Sequence, residues 1–303
     1  MIVVLGPTAT GKTAVATHLA YKIDGEIISA DSRQVFRGMN IGTGKDLNEY
    51  VVNGKSIPYH LIDIAEPGEE YSVFQFQQDF LSAWSNIRNR KKTVILCGGT
   101  GFYIESVLKQ YQLAPVPNNP ILRYDLESIS TEKLIAILSS MRTLHNTTDI
   151  EDRKRLMRAI EIETYYQEHP EMITQFPEID AMIFGISFER GIVRDRITQR
   201  LHQRLNEGMI EEVKCLLQQG VSPEKLIFYG LEYRYLMQYI MEKINYDEMF
   251  RLLNTAIHQF AKRQMTWFRK MEREGINIQW IDDTLTFEEK ADFIIEKYKH
   301  RFK

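Results

Sequence analysis

A phosphate-binding loop near the N-terminus constrains the fold of this chain most strongly. The pattern Gly-x-x-x-x-Gly-Lys-Thr is matched by Gly6, Pro7, Thr8, Ala9, Thr10, Gly11, Lys12 and Thr13. This segment follows the apolar run 2–5 and precedes an amphipathic stretch that reaches Ala20, which is the strand, loop and helix context that the motif needs. The loop therefore predicts a polyphosphate site, and whether its ligand is a nucleotide stays open.

The chemistry of this loop follows from three residue types. Glycines let the backbone curl until several N–H groups point at one anion, and the start of the following helix adds positive potential. Lys12 contributes a full positive charge, and the Thr13 hydroxyl can reach a divalent cation. The loop alone does not separate a kinase or ATPase from another enzyme that binds polyphosphate.

Strand-like and helical patterns alternate through the first part of the chain. Short apolar runs predict further strands at 26–29, 59–64 and 93–97, and a helical pattern at 72–90 lies between the last two. Such alternation is typical of a mainly parallel sheet flanked by helices. We therefore predict an α/β fold with a P-loop NTPase-like core. Beyond residue 191 the pattern is almost entirely helical, with breaks at Gly208, 220–223, Gly230 and Gly275.

A proline-rich segment divides the chain. Residues 114–120 contain three prolines in seven positions, which excludes a helix interior or a central strand. Residues 121–168 then read as helical, and a strand-like run at 182–188 indicates a return to the sheet. We predict a core domain made of 1–113 and 182–303, with a helical insertion domain over 114–181.

The overall charge balance, taken alone, argues against a nucleic-acid partner. The chain has 38 Lys and Arg against 41 Asp and Glu, a net charge of −3. Two local clusters contradict that average, because basic residues dominate 153–158 and no acidic residue interrupts 258–271. On a helix through 249–270, the cations Lys262 and Arg263 fall opposite the apolar side. This pattern predicts a basic face that could contact phosphates.

The composition also limits the compartment and the partners. Cys97 and Cys215 lie far apart without a Cys-x-x-Cys spacing, which excludes a disulfide framework and a zinc cluster. No apolar run approaches the roughly 20 residues of a membrane span. We therefore expect a soluble cytoplasmic protein with no membrane partner. We further expect a monomer.

Several blocks that follow one another along the chain carry a family resemblance. They are the phosphate loop together with Asp31–Lys45, His60–Asp63, Gly98–Tyr103, Lys154–Ala159 and Gln259–Arg269. In this order they resemble the tRNA dimethylallyltransferase family over residues 1–270. The chain departs from the family pattern at three positions. Gly44 lies where the family usually has alanine, Tyr59 where it often has histidine, and Glu232 where it has glycine before the residue that matches Tyr233.

This resemblance implies transfer of a dimethylallyl group from dimethylallyl diphosphate to the exocyclic N6 amine of the adenosine 3′-adjacent to the anticodon of tRNA, with release of diphosphate. The loop would then hold diphosphate, aided by Mg²⁺ at Thr13 and by Arg196. Asp31 would act as the general base for the amine, and the Thr100 hydroxyl would reach the bridging oxygen of the leaving group. Arg200 and Arg204 share a helix face with Arg196, and their role stays open.

The resemblance also implies a tRNA-binding set that grips the anticodon stem-loop, with the target base turned out of its stack. Its members lie in the core and in the insertion: Asp31, Ser32, Arg33, Gln34, Thr100, Arg123, Lys154, Arg155, Leu156, Met157, Arg158, Lys262 and Arg263.

Purely structural roles are alternatives to these assignments. Asp31 could simply cap a turn, and Thr100 could be a turn residue. At the level of function, the alternatives are a small-molecule or nucleotide kinase using ATP, a nucleic-acid-binding ATPase, and a prenyltransferase acting on free adenine nucleotides. A prenyltransferase acting on free adenine nucleotides would need neither the Lys262 and Arg263 face nor a basic insertion, so the presence of both argues against that alternative.

Overall fold

The computed structural model describes residues 1–142, 152–172 and 175–301. The chain divides into two compact units, a core unit of 1–109 and 179–303 and an insertion unit of 110–178. The sequence-based boundaries lay at 113/114 and 181/182, close to these.

The core unit is built on a six-stranded sheet in which every strand pair is parallel. Its strands are β1 (Ile2–Leu5), β2 (Glu26–Ala30), β5 (Tyr59–His60), β6 (Val94–Gly98), β7 (Met182–Ile186) and β8 (Ile278–Ile281), and a small antiparallel pair is formed by β3 (Val51–Val52) and β4 (Lys55–Ser56). The sheet order is β5-β2-β6-β1-β7-β8. Central strands β1, β2, β6 and β7 are buried at every position, which explains their continuous apolar runs.

Helices surround this sheet and form the insertion. In chain order they are α1 (Lys12–Ile23), α2 (Val73–Asn89), α3 (Gly101–Leu108), α4 (Pro120–Glu127), α5 (Thr131–Met141), α6 (Arg153–Glu168), α7 (Arg190–Asn206), α8 (Met209–Gln218), α9 (Pro223–Tyr229), α10 (Leu231–Ile240), α11 (Tyr246–Arg273) and α12 (Phe287–Arg301). A short 3₁₀ helix spans Leu47–Tyr50, and another spans Pro170–Met172.

Two apolar clusters hold the core unit together. Helices α1 and α12 pack on the sheet through residues such as Val15, Leu19 and Ile294. Helices α7 to α11 bury a second cluster around Tyr233 and Leu253, which also takes in the segment after β2. The 28-residue helix α11 reaches from this second cluster to α3, beside the end of β6.

The insertion unit has its own apolar core. Helices α4, α5 and α6 pack around Leu126, Leu134, Leu138, Leu156, Met157, Ala159 and Ile160. Asn119 and Ser130 cap α4 and α5 with side-chain oxygens, so the polar breaks in the sequence mark helix starts.

The predicted α/β class with a mainly parallel sheet and flanking helices is confirmed, and two local predictions are wrong. The strand expected over 59–64 ends at His60, because Leu61 and Asp63 adopt positive φ angles of 64° and 56° that leave the sheet. The almost entirely helical pattern beyond residue 191 did not predict β8, because a strand of four residues is too short to show a clear period. In the chain as far as it is described, none of the helices combines the length and apolar character that crossing a membrane requires.

Candidate active site

The phosphate loop connects β1 to α1, as its motif predicts. Ala9 and Gly11 have φ angles of 63° and 75°, so the loop turns through left-handed backbone at two positions. A Cβ atom on Gly11 would lie 2.5 Å from Cε1 of Phe287, which makes glycine necessary there. The Lys12 ammonium donates to the Pro7 carbonyl at 3.4 Å, within its own loop. Burial lowers the pKa of Lys12, and the carboxylate of Asp31 opposes this shift.

A cleft opens at the carboxyl edge of the sheet, where β1, β2 and β6 end, and this edge is the usual ligand site of open parallel sheets. Its lining includes the sequence-predicted residues Thr8, Lys12, Thr13, Asp31, Ser32, Arg33, Gln34 and Thr100. Helices α7, α10 and α11 add Arg200, Arg204, Glu232, Phe260 and Gln264. The fold thus brings the phosphate loop, the segment after β2 and the turn after β6 into one site with residues of three helices.

Asp31 is held in a turn directly after β2. Its Oδ1 accepts hydrogen bonds from the backbone N–H groups of Arg33 at 2.9 Å and Gln34 at 3.4 Å. Asp31 therefore does cap this turn. Capping does not exclude a chemical role, because the half-buried carboxylate also lines the cleft.

Thr100 connects the ends of β2 and β6. Its N–H donates to the Ala30 carbonyl at 3.1 Å, and its Oγ1 accepts from the Ser32 N–H at 3.1 Å. The strands approach so closely that a Cβ on Gly98 would collide with the Ala30 carbonyl. The two hydrogen bonds of Thr100 hold its hydroxyl next to the Asp31 turn.

Gln264 is a site residue for which the sequence motif assigned no role. Its side-chain carbonyl accepts from the Thr8 N–H at 2.9 Å, and its amide nitrogen donates to the Gly99 carbonyl at 2.9 Å. The side chain is buried, and a Cβ on Gly99 would lie 2.5 Å from its Nε2. Helix α11 therefore joins the phosphate loop to the turn after β6. The available sequence signal was the helical spacing of Gln264 from Ala261 and Phe268, which places this glutamine on the apolar side of the helix.

Arg200 and Arg204 lie in the cleft, whereas Arg196 is exposed on α7 and does not line it. Asp46 pairs with Arg200 and lies 3.8 Å from Nη2 of Arg204. Burial and the neighbouring Arg204 lower the pKa of Arg200 to about 10. The two arginines left open by the sequence are thus the ones near the phosphate loop, and the assignment of Arg196 stays a prediction.

Two further carboxylates, Glu49 and Asp63, have different surroundings. Burial raises the pKa of Glu49, while Lys12, Arg204 and a hydrogen bond with Thr13 oppose the shift, so this unpredicted carboxylate faces the loop. Asp63, the last residue of the family-like block His60–Asp63, pairs with the buried ammonium of Lys45 and does not line the cleft.

The predicted basic face of α11 is exposed at Lys262 and Arg263. The helix buries its opposite side through residues that include Ala261 and Phe268. Lys270, near the end of the same helix, is half-buried, and its Nζ lies 3.4 Å from Oε1 of Glu105, because α11 packs on α3 at this end.

The insertion cations divide into two groups. Lys154 and Arg155 are exposed, whereas Arg123 and Arg158 both pair with the buried Glu161, Arg123 at 2.8 Å. Burial alone would raise the pKa of Glu161, but these arginine hydrogen bonds lower it overall. Leu156 and Met157, which belong to the predicted tRNA-binding set, are 0% and 8% exposed and pack in the insertion core.

Within the described residues, no three His, Cys, Asp or Glu side chains come together as a group that could hold a metal ion. The cleft does offer the Thr13 hydroxyl and a carboxylate beside a phosphate loop. This donor set suits Mg²⁺, which keeps several waters and is bound mainly through substrate phosphates rather than by an all-protein cage.

The fold and the cleft together define the class of protein, a phosphate-loop α/β enzyme with a carboxylate and a hydroxyl beside the loop. Comparison with known proteins then gives the family. Residues 34–271 match the model of the family described as IPP transferase. The chain belongs to this family of transferases, and the family predicted from the sequence is confirmed.

Individual relatives support the same assignment over nearly the whole chain. The chain is 56% identical over 299 residues to tRNA dimethylallyltransferase 2 of Bacteroides fragilis, covering 99% of this chain and 98% of that protein. It is 53% identical over 298 residues to tRNA dimethylallyltransferase 2 of Porphyromonas gingivalis, covering 98% and 99%. The crystal structure of the tRNA isopentenylpyrophosphate transferase of Bacillus halodurans superposes with a TM-score of 0.71 at 31% identity, covering 99% of this chain and 96% of that one.

Proposed function

We propose that this chain transfers the dimethylallyl group of dimethylallyl diphosphate to the N6 amine of the adenosine 3′-adjacent to the anticodon in tRNA, releasing diphosphate. The observation that carries the proposal is the meeting of Lys12, Asp31 and Thr100 in one cleft. A phosphate loop alone serves many reactions, whereas this reaction needs an anion site, a proton acceptor and a hydroxyl side by side.

The phosphate loop and the cleft cations stabilise the leaving group. When an allylic carbon separates from diphosphate, negative charge grows on the departing oxygens, and fixed positive groups around them lower the barrier. The phosphate loop supplies backbone N–H groups and the Lys12 ammonium, and Arg200 and Arg204 lie in the same cleft as Lys12 and Thr13. The Thr100 hydroxyl donates to the bridging oxygen. Arg196 keeps its sequence-based assignment to diphosphate as a prediction.

Asp31 takes the proton that the amine loses. An adenine amine is a poor nucleophile, so its proton must leave as the new carbon–nitrogen bond forms. The Asp31 carboxylate accepts this proton, while Ser32, Arg33 and Gln34 offer hydrogen bonds to the flipped base and its neighbours. The two backbone bonds to Oδ1 hold the carboxylate in place without consuming its second oxygen.

The Thr13 hydroxyl and the diphosphate oxygens would hold Mg²⁺. When bound, the ion neutralises charge on the leaving diphosphate. The protein's own contribution is to place the loop N–H groups and Lys12 around the same anion, so that ion and protein act on one group.

For the tRNA, we assign phosphate contacts to the exposed Lys262 and Arg263 on the core unit and to Lys154 and Arg155 on the insertion unit. Phosphate contacts need only exposed cations and set the position of the RNA. Arg123, Arg158, Leu156 and Met157 shape the insertion surface through its packing and ion pairs. The part of the tRNA that the enzyme binds is the anticodon stem-loop. We place the enzyme in the cytoplasm and assign it as a monomer.

One assay separates this function from its alternatives. Incubation with dimethylallyl diphosphate, Mg²⁺ and unmodified tRNA, followed by nucleoside mass analysis, should yield prenylated adenosine. Prenylation of free adenine nucleotides, phosphate transfer from ATP, or RNA-stimulated ATP hydrolysis without prenylation would each support an alternative instead.

Two substitutions at Asp31 separate its chemical role from its role in the turn. Asp31→Asn keeps an oxygen that accepts the Arg33 and Gln34 N–H groups, whereas Asp31→Ala removes it. We expect both to lower the transfer rate by roughly 100-fold or more, because both lack the base. A near-normal rate for Asp31→Asn would show that capping is the only role of this side chain.

A further inference from the structure

Arg33, the residue two positions after Asp31, is held on three sides. Its Nη1 donates to Oε2 of Glu232 at 3.1 Å, and the two side chains are only 25% and 12% exposed. Its guanidinium lies over the Phe260 ring, 5.2 Å from the ring centroid. On the third side is Gly230, where φ is 151° and a Cβ would lie 2.5 Å from Cζ of Arg33. The start of α10 is therefore shaped around this guanidinium.

The same residue is tied to the base through its backbone. The Arg33 N–H donates to Oδ1 of Asp31 at 2.9 Å, the shorter of the two bonds that hold this carboxylate. A side chain that is fixed on three sides restricts its own backbone, so the position of Arg33 determines where this N–H points. Glu232 thus connects to Asp31 through one residue.

The charge distribution explains why a carboxylate is useful here. Lys12, Arg200 and Arg204 line the same cleft as Arg33, and a bound diphosphate would attract all four cations. Asp46 pairs with Arg200, while Glu232 pairs with Arg33. The Glu232 carboxylate therefore keeps one of the four cations on the Asp31 side of the cleft.

We propose that Glu232 is a positioning residue for the transfer reaction: its carboxylate holds the Arg33 guanidinium on Phe260, and through Arg33 it fixes Asp31 beside the substrate amine. The proposal rests on the proposed function, because it requires Asp31 to be the base.

The test compares Glu232→Ala, Glu232→Gln, Arg33→Ala and the double variant Glu232→Ala/Arg33→Ala with the wild-type enzyme. The matched control is Glu224→Gln, because Glu224 is also an acid in the first turn of its helix, α9, but is exposed and does not line the cleft. Thermal unfolding verifies that each variant is folded. Turnover numbers and KM values are then measured for dimethylallyl diphosphate and for tRNA.

Loss of positioning should appear in kcat rather than in substrate binding. Glu232→Ala should lower kcat by about 10- to 100-fold, because a small misplacement of a reacting group has effects of that size. The KM for dimethylallyl diphosphate should change by less than about twofold, as expected when no ground-state contact is lost. Glu232→Gln, which still accepts from Arg33, should fall between wild type and Glu232→Ala, and Glu224→Gln should match the wild type.

The double variant decides whether Glu232 acts through Arg33. In the Arg33→Ala background, Glu232→Ala should cause no further loss, because the connecting residue is already gone. Independent, multiplicative losses would overturn the proposal. So would an unchanged kcat in Glu232→Ala, or tighter tRNA binding with faster turnover, which would make the ion pair a latch that competes with RNA. If Glu232→Ala does not fold, a kcat for Glu232→Gln equal to that of Glu224→Gln overturns it. A wild-type enzyme that forms no prenylated adenosine would instead refute the proposed function.

Discussion

Gln264 is the residue at which stability and phosphate binding should change together. The substitution Gln264→Met keeps the length and approximate volume of the side chain but removes both of its hydrogen bonds. Such volume-conserving changes cost little in packing, usually less than about 1.5 kcal/mol. The loss of free energy of unfolding should therefore come mainly from the two backbone groups left without a partner.

The structure sets the size of this loss. The Gly99 carbonyl is in a buried residue, so stranding it costs the full penalty of about 1–3 kcal/mol. The Thr8 N–H belongs to a half-buried residue on the cleft, where water can replace the amide, so its loss should cost about 1 kcal/mol. We expect Gln264→Met to lower the free energy of unfolding by about 2–4 kcal/mol.

Urea unfolding followed by circular dichroism measures this change, and the KM for dimethylallyl diphosphate reports on the loop. The KM should rise, because the Thr8 end of the loop loses its contact with α11. Gln259→Met is the matched control, since Gln259 is an exposed glutamine on the same helix and should change stability by less than about 0.5 kcal/mol. Equal stability of the two variants, with an unchanged KM for Gln264→Met, would refute the reasoning.

Three further predictions concern the charged groups. Neutralising both Lys262 and Arg263 should weaken tRNA binding and reduce the slope of log Kd against log salt by about 1 to 2, as measured by filter binding over a salt series. Glu161→Gln should speed amide hydrogen exchange in residues 110–178 at pH 7. The difference in exchange rate between the variant and the wild type should shrink as the pH falls below 4.5. The lowered pKa of Glu161 gives stability that is present above the ordinary value of 4.5 and is lost on acidification. Arg204→Gln should raise the KM for dimethylallyl diphosphate more than Arg196→Gln does, since only Arg204 lines the cleft.

Each of these predictions has its own contrary result. Neutralising Lys299, an exposed lysine on α12, should leave the salt slope unchanged, and an equal effect there would mean that placement of the cations is irrelevant. A constant difference between Glu161→Gln and wild type at all pH values would exclude ionisation as the cause. A larger KM effect for Arg196→Gln would favour the sequence-based assignment.

Much of the site follows from local patterns in the sequence. The phosphate loop is a contiguous motif whose backbone geometry is dictated by Gly11 and its neighbours, so it can be recognised before any tertiary contact forms. A short apolar strand comes before each of three features, which are the phosphate loop, Asp31 and Thr100. Parallel strands necessarily place their carboxyl ends along one edge of the sheet. The grouping of these residues was therefore predictable, as was the exposed face of Lys262 and Arg263.

The contacts that refine the site depend on residues far apart in the chain. Nothing in the spacing of Arg196, Arg200 and Arg204 indicates which of them faces the cleft, because that depends on how α7 lies against the segment around Asp46. The net charge was also a poor guide to nucleic-acid binding. It sums over all charged residues, whereas the effect of each on RNA depends on its position in the fold.

The sequence by itself determined the α/β class, the phosphate loop and the two chemical groups beside it, because each rests on short-range pattern and backbone sterics. Only the tertiary structure decided that Gln264 joins the loop to the Gly99 turn and that Glu232 holds Arg33. Hydrogen bonds and ion pairs between residues 165 to 256 positions apart leave no periodic trace in a sequence, because they form only when packing brings their helices to the sheet edge.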